Sequence, residues 1–262
     1  MIRHILRAPL VLGVVLLAAL VAIACGGGGE PAPSASAPAP TAAPPAAGGS
    51  GSVAGVVNYT NGDPDTPIKM DADPVCLGLH AEPVHTQTIE SDGQGHLGNV
   101  FVYVKSGLPA GGNWPAATEV ATLDQKGCQY HPHVQGVRVG QTVKIVNSDP
   151  TLHNIHSHPT VNAEFNQGQP FQGMTLEKTF DQVEVPIAFR CDVHPWMASY
   201  IAVLDHPFFA VSGADGSFAI EGLPAGTYTL EAWHEKLGTQ TQDVTVAEGQ
   251  PAAANFSFAG GA

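Results

Sequence analysis

Cys191-Asp192-Val193-His194-Pro195-Trp196-Met197 places a thiol, an imidazole and a thioether at three-residue intervals, on a stretch whose proline keeps it out of a helix. Two β-branched or aromatic-rich runs flank it: Val183-Glu184-Val185-Pro186-Ile187-Ala188-Phe189 before, and Tyr200-Ile201-Ala202-Val203-Leu204 after. The stretch therefore reads as strand, donor loop, strand. A soft sulfur beside an imidazole suits copper, and a thioether as third donor leans further that way.

The same grammar extends in both directions. Val53 to Val57, Val100 to Val104, Val137 to Val139 and Thr142 to Val146 are strand-length and apolar, as are Phe218 to Ile220, Tyr228 to Trp233 and Asp243 to Val246. Gly, Asn, Asp or Pro separates them, and no long amphipathic helix interrupts. The expected fold is all-β, of sandwich type. Residues 60–98 are poorer in pattern and read as a long decorated loop. Upstream of the donor loop, Thr142 to Val146 runs into the turn Asn147-Ser148-Asp149-Pro150 and then His153. The interval to Cys191 leaves room for two or three strands, so His153 can return to the same end of a sandwich.

A strand followed by the Asn-x-Asp turn and His153-Asn154, and later by Cys-x-x-His-Pro-x-Met, resembles the cupredoxins, most closely those of amicyanin type with a short Cys-to-Met loop. The resemblance spans roughly residues 118–205 and implies a Greek-key β-sandwich with one type 1 copper. It implies His153, Cys191 and His194 as equatorial ligands and Met197 as the weak axial one. Asn154 becomes a candidate to tie the first ligand to the Cys191 loop, and Pro195 restricts that loop. In the family the loop histidine protrudes at an apolar end, which makes His194 the expected exit for an electron; Trp196 is either part of that exit or a buried cap. A Cys191 nucleophile with His194 as base lacks an orienting third residue, and zinc gives no use to a thioether.

Other groups leave alternatives open. His131, His133, His156 and His158 could form a second, harder metal site or a copper-acquisition surface, or be surface histidines without a metal. His234-Glu235 reads as structural or surface. If Cys191 is spent on metal, Cys76 and Cys128 remain as a pair for a disulfide; the alternative puts Cys128 with His131 and His133 in a second centre.

From about residue 206 the chain changes. Gly213-Ala214-Asp215-Gly216-Ser217-Phe218-Ala219-Ile220 and Gly222-Leu223-Pro224-Ala225-Gly226-Thr227-Tyr228-Thr229-Leu230 each run from a turn into a strand. They resemble the carboxypeptidase-regulatory-like (transthyretin-like) domain, which implies a second small β-sandwich over 206–259. Some fifty residues are few for an independent core. The runs at 53–57 and 100–104 read like its first two strands, so residues 53–205 hold either a serial cupredoxin domain with an N-terminal extension or a copper core at about 116–205 inserted into the second sandwich.

The first residues have their own logic. Arg3 and Arg7 precede an apolar run, and Ala22-Ile23-Ala24-Cys25 ends it with small residues before a cysteine. This resembles the bacterial lipobox and implies that residues 1–24 are a signal peptide and that Cys25 carries lipid. An uncleaved membrane anchor is the alternative. Residues 25–52, rich in Gly, Pro, Ala and Ser, read as a disordered tether. The chain has 23 Asp and Glu against 10 Lys and Arg, and two of those ten, Arg3 and Arg7, lie in the leader. That acidity argues against a nucleic-acid partner and fits either a partner with a basic face or simply a solvated acidic surface.

These features point to a copper protein held by lipid at the periplasmic or outer face of a membrane. It would carry single electrons between protein partners such as a cytochrome or a respiratory or photosynthetic complex. No small-molecule substrate and no enzymatic turnover are expected. A copper-delivery protein, or a structural subunit of a redox complex, is the alternative.

Overall fold

The computed structural model describes residues 49–60, 62 and 66–260. The expected signal peptide, Cys25 and all but the end of the expected tether lie outside the described residues. The chain forms β1 (Gly51–Thr60), a short helix α1 (Pro74–Gly78) and β2 (Phe101–Ser106). It continues through β3 (Ala121–Lys126), β4 (Gln129–His131), β5 (Val134–Arg138), β6 (Val143–Asn147), β7 (His153–His158) and β8 (Asn166–Gln169). Next come β9 (Thr175–Lys178), β10 (Glu184–Arg190) and β11 (Ala198–Leu204). The last strands are β12 (Phe209–Val211), β13 (Ser217–Leu223), β14 (Gly226–His234), β15 (Gly238–Val246), β16 (Pro251–Ala253) and β17 (Phe256–Ala259).

The fold is all-β, with one larger sandwich and a second, smaller one. In the first, the sheet β5-β11-β10-β7-β8 faces the sheet β4-β3-β6-β9. Alternation builds it: along β6, Val143, Ile145 and Asn147 are buried while Lys144 and Val146 are half-exposed. Its core gathers Leu123, Tyr130, Val137, Ile145, Ile155, Ile187, Phe189 and Ile201, with Cys191 and Met197 at one end.

In the second sandwich, β1 pairs with β13, β16 and β17, and faces the sheet β12-β2-β14-β15. Strands from both ends of the described chain thus share one core, in which Val53, Val57, Val102 and Val104 pack with Phe218, Ile220, Tyr228, Leu230 and Phe256. The chain leaves this sandwich after β2 and re-enters it at β12, which pairs with β2. At the turn Asp215-Gly216 between β12 and β13, the glycine has φ +72°, and a Cβ there would stand 2.5 Å from the Val57 carbonyl oxygen.

β2 explains how the two sandwiches meet. Its run Phe101-Val102-Tyr103-Val104 is buried on both faces. Val102 and Val104 enter the smaller core, while Phe101 and Tyr103 join Val134, Tyr200, Ala202, Leu204 and Phe209 in an apolar seam. Burying one such aromatic stabilises by about 2–3 kcal/mol. Gly136 lies in the seam: a Cβ on it would come within 2.4 Å of the Phe209 ring and 2.7 Å of Phe101.

Residues 66–98 are largely irregular, as their weak pattern implies, but they are tied down. Met70 and Cys76 pack into the core of the larger sandwich, Ile89 and Leu97 into that of the smaller. Asp73 caps α1, its Oδ1 accepting from the N–H of Val75 (2.8 Å) and of Cys76 (3.2 Å). A disulfide joins Cys76 to Cys128 across 52 residues of sequence. Closing a loop of that length is worth about 4 kcal/mol in the chain-entropy account.

Candidate metal centre

The first residue of β7 and the loop between β10 and β11 supply the donors. One donor atom each from His153, Cys191 and His194 lies within 4.8 Å of the others, and all three residues are buried. Strand ends in a packed core fix them. His153 begins a strand hydrogen-bonded to both β8 and β10, and Cys191 directly follows β10. Met197 is 1% exposed in the same core, and its N–H donates to the carbonyl of His194 at 2.9 Å, which closes the loop into a tight turn.

Asn154 ties the two segments together. Its Oδ1 accepts from the N–H of Asp192 (2.7 Å) and of Val193 (3.3 Å) and from the Cys191 thiol (3.3 Å). Its own carbonyl takes the Tyr130 hydroxyl at 2.6 Å. Trp196 is half-buried, its ring 5.1 Å from that of His194 and its Nε1–H donating to the Cys128 carbonyl. Pro195 is exposed.

The two imidazoles are oriented alike. Their Nδ1 atoms face each other at 3.0 Å, and that of His194 lies 3.8 Å from Cys191 Sγ. Each Nε2 meets a carboxylate at 2.9 Å: Asp149 Oδ2 for His153 and Asp73 Oδ2 for His194. An ionised carboxylate only accepts, so the Nε2 atoms hold the protons and two Nδ1 lone pairs are left aimed at one place. Burial pushes the Cys191 thiol up, but when the imidazoles are protonated the His153 and His194 N–H groups facing it hydrogen-bond its thiolate, which outweighs burial and holds its pKa down at about 6. Burial pulls both histidines down, yet their partners outweigh it. Asp149 leads for His153 and the Cys191 sulfur for His194, and both end above the ordinary imidazole value. A soft cation would take the place of those facing protons, binding the thiolate and the two Nδ1 lone pairs at once. The residues fit copper.

Several sequence expectations take a different form. His194 does not protrude. It is 2% exposed, beneath α1, where Asp73 covers its Nε2 and Cys76 Sγ lies 3.5 Å from the same atom. The irregular residues before β2, not a bare imidazole edge, close this end. The four other histidines do not converge, and among the described residues no group of three close donors includes any of them. His131 contacts the Lys126 carbonyl. His156 lies between Asp192 and Glu164, with the His158 ring 4.1 Å away on the exposed face of β7.

In the sequence His133 reads as a surface histidine or as part of a second metal site, and Glu235 as a structural or surface residue. They form a pair at the seam, His133 buried and Glu235 half-buried, where Glu235 also accepts from the Tyr200 hydroxyl at 2.8 Å and His133 Nδ1 meets the Ala198 carbonyl at 3.1 Å. Asp73 was also missed, since nothing in its local sequence connects it with a histidine 121 residues away. Asp149 carried a weak signal, four residues before His153 in the quoted turn.

The molecule is thus an all-β protein of two sandwiches with a buried thiol–imidazole donor cluster at the end of one. A family model of the carboxypeptidase regulatory-like domain matches residues 201–259. No curated protein matches the chain. Among solved structures, a purple cupredoxin from Nitrosopumilus maritimus is similar at 26% identity over 32% of this chain and 98% of that one, with TM-score 0.28. An amicyanin variant in its Cu(I) form matches at 21% identity over 40% and 98%, TM-score 0.29. A copper-containing nitrite reductase from Thermus scotoductus matches at 22% identity over 37% of this chain and 25% of that one, TM-score 0.29. At TM-scores of this size none of the three decides the chemistry.

Proposed function

We propose that the chain is a copper protein that carries single electrons between extracytoplasmic partners, held to a membrane through lipid on Cys25. The observation that carries this reading is the buried convergence of the Cys191 thiol with the Nδ1 atoms of His153 and His194. When bound, copper supplies a one-electron couple at these donors, with Met197 as the added thioether.

The chain's own residues prepare that role. The imidazoles beside Cys191 hold its pKa down at about 6, so its proton is readily given up to a metal. Asp149 and Asp73 keep the Nε2 protons in place, so both imidazoles present Nδ1 without a change of tautomer. Asn154 fixes the Cys191 loop from a neighbouring strand, and the apolar core around Met197, Ile155 and Phe189 keeps water away. Donors held this firmly move little when the charge at the centre changes, which favours electron transfer over turnover. The acidic surface suits a basic partner, such as a cytochrome or the docking face of a larger redox complex.

The test is reconstitution of the full chain with Cu(II), read by visible and EPR spectra and by voltammetry. The expected result is one copper per chain, an intense thiolate-to-copper band and reversible one-electron cycling. A colourless protein that holds only Cu(I) and yields it to a chelating acceptor would replace the carrier with a delivery role. Failure to bind copper tightly would end both.

A further inference from the structure

The two carboxylates on the donor histidines have different origins. Asp149 belongs to the loop that carries His153, and its two oxygens also accept from the N–H groups of Gly127 (2.8 Å) and Cys128 (2.7 Å). Asp73 comes from the irregular segment before β2, far from His194 in sequence and outside the sheets of both sandwiches.

Asp73 is nevertheless held in place. Its Oδ1 caps α1 through Val75 and Cys76, and its Oδ2 accepts from the Thr151 hydroxyl at 3.3 Å as well as from His194. The helix it caps is bonded through Cys76 to Cys128, whose carbonyl in turn takes the Trp196 indole N–H from the donor loop. Turning the carboxylate away from His194 would uncap the helix. An N-cap needs only one oxygen. The second oxygen is aimed at the one ring nitrogen of His194 that does not face the donor cluster.

We infer that Asp73 is a positioning residue for the metal centre. It fixes the tautomer and ring plane of His194, and its negative charge favours the more highly charged state of the bound metal. This rests on the copper reading above. A carboxylate behind a metal-bound imidazole makes the imidazole a stronger donor, and losing such a partner commonly weakens metal binding by about 10–100-fold. Cu(II) gains more from the added basicity than Cu(I), so the carboxylate lowers the midpoint potential.

Two variants separate this role from helix capping. Asp73→Asn retains the capping oxygen but turns an uncharged amide NH2 donor towards Nε2, whereas Asp73→Ala loses the cap, the acceptor and the charge. Asp92→Asn, at the exposed Asp92–His96 pair, is the control for removing one carboxylate elsewhere. Each is prepared as the full chain. Cu(II) and Cu(I) affinities are measured by chelator competition and the potential by voltammetry, and the ¹⁵N shifts of the His194 ring are recorded in the copper-free protein.

The expected order is a Cu(II) affinity loss of about tenfold for Asp73→Asn and up to about 100-fold for Asp73→Ala, with Cu(I) affinity less affected. Each tenfold loss of preference for Cu(II) raises the potential by about 59 mV. In copper-free Asp73→Ala, His194 should become a mixture of tautomers. Potential and Cu(II) affinity within twofold of the native protein, with only a lower melting temperature, would make Asp73 a helix cap and overturn the inference. Should Asp73→Ala not fold, Asp73→Asn decides on the same readouts. If the native chain itself forms no thiolate-bonded copper centre, the copper reading fails, and the tautomer shift alone decides whether Asp73 positions His194.

Discussion

The two sandwiches use similar strands and bury comparable cores, yet they treat buried imidazoles in opposite ways. In the smaller one His234 is 1% exposed, and its Nδ1 accepts from the N–H groups of Lys236 and Leu237 at the turn that ends β14. His206, at the junction, is buried against the Phe208 ring and accepts the Phe208 N–H. Burial pushes both to a pKa of about 4, so both fold as neutral groups that finish a turn. In the larger sandwich, instead, Asp149 lifts His153 and the Cys191 sulfur with Asp73 lifts His194, and their Nδ1 atoms are turned towards each other and the thiol. The smaller sandwich spends its buried imidazoles on its own backbone; the larger leaves two of them for a ligand.

Cys191→Ser should sharpen that contrast most. It removes the thiolate and, with it, the intense copper band, and it weakens Cu(II) binding by two orders of magnitude or more. The melting temperature of the copper-free protein should move by only a few degrees, because the thiol sits at the end of the core and makes polar contacts that a hydroxyl can replace. Spectral titration and calorimetry measure the two effects. A band that survives would relocate the donor set.

Phe218→Ala makes the opposite cut. Phe218 packs against Phe256 in the smaller core, and its truncation should cost about 3–5 kcal/mol. Below the lowered melting temperature the copper spectrum should be unchanged. A shifted spectrum would mean that the seam at Phe101, Tyr200 and Phe209 transmits strain to the donor loop.

How much of this was visible in the sequence follows from the same contrast. Strands with one buried and one open face, such as β6 and β14, announce themselves through alternating β-branched residues, and the donors announce themselves through spacing. Edge strands do not. Asn166-Gln167-Gly168-Gln169 becomes β8 only because its backbone pairs with β7, and three of its four side chains are exposed. The partners that tune the site are silent for a different reason. Asp73 and Glu235 look like ordinary surface acids, and only the topology brings them to His194 and His133. Residue chemistry is local; its second layer is not.

Acid should separate the sandwiches in order. His206 and His234 have pKa values of about 4 when folded, against about 6.5 when unfolded. Between those values the unfolded chain binds more protons, so stability conferred by these groups is complete above about pH 6.5 and is lost as pH falls towards 4. The loss is roughly 3 kcal/mol for each. In the larger sandwich, burial raises Glu184, but hydrogen bonds from Thr160 and Asn162 outweigh it and bring its pKa to about 2. Its contribution is complete above about 4.5 and is lost only between there and 2. Denaturant titrations across this range should therefore show a first slope that disappears in a His206→Gln/His234→Gln variant. A second slope should disappear in Glu184→Gln. If one variant removed both, the two sandwiches would not be titrating separately.

The smallest effect is expected at the histidines that resemble ligands most and are placed least like them. His156 is held between Asp192 and Glu164, which lie against opposite ring nitrogens and so offer a metal no shared side. Solvent screens such pairs, and their contribution to stability should be below about 1 kcal/mol. The double variant His156→Ala/His158→Ala should keep one copper per chain, the native potential and a nearly native melting temperature. Asp192 is the one route by which it could do otherwise, because that carboxylate also takes hydrogen bonds from Asn154 and Asn166 beside Cys191. A changed copper band in the double variant, with stoichiometry intact, would show that the exposed face of β7 reaches the thiolate through Asp192. A second copper equivalent present in the native chain and lost in the variant would instead restore these histidines as a site of their own.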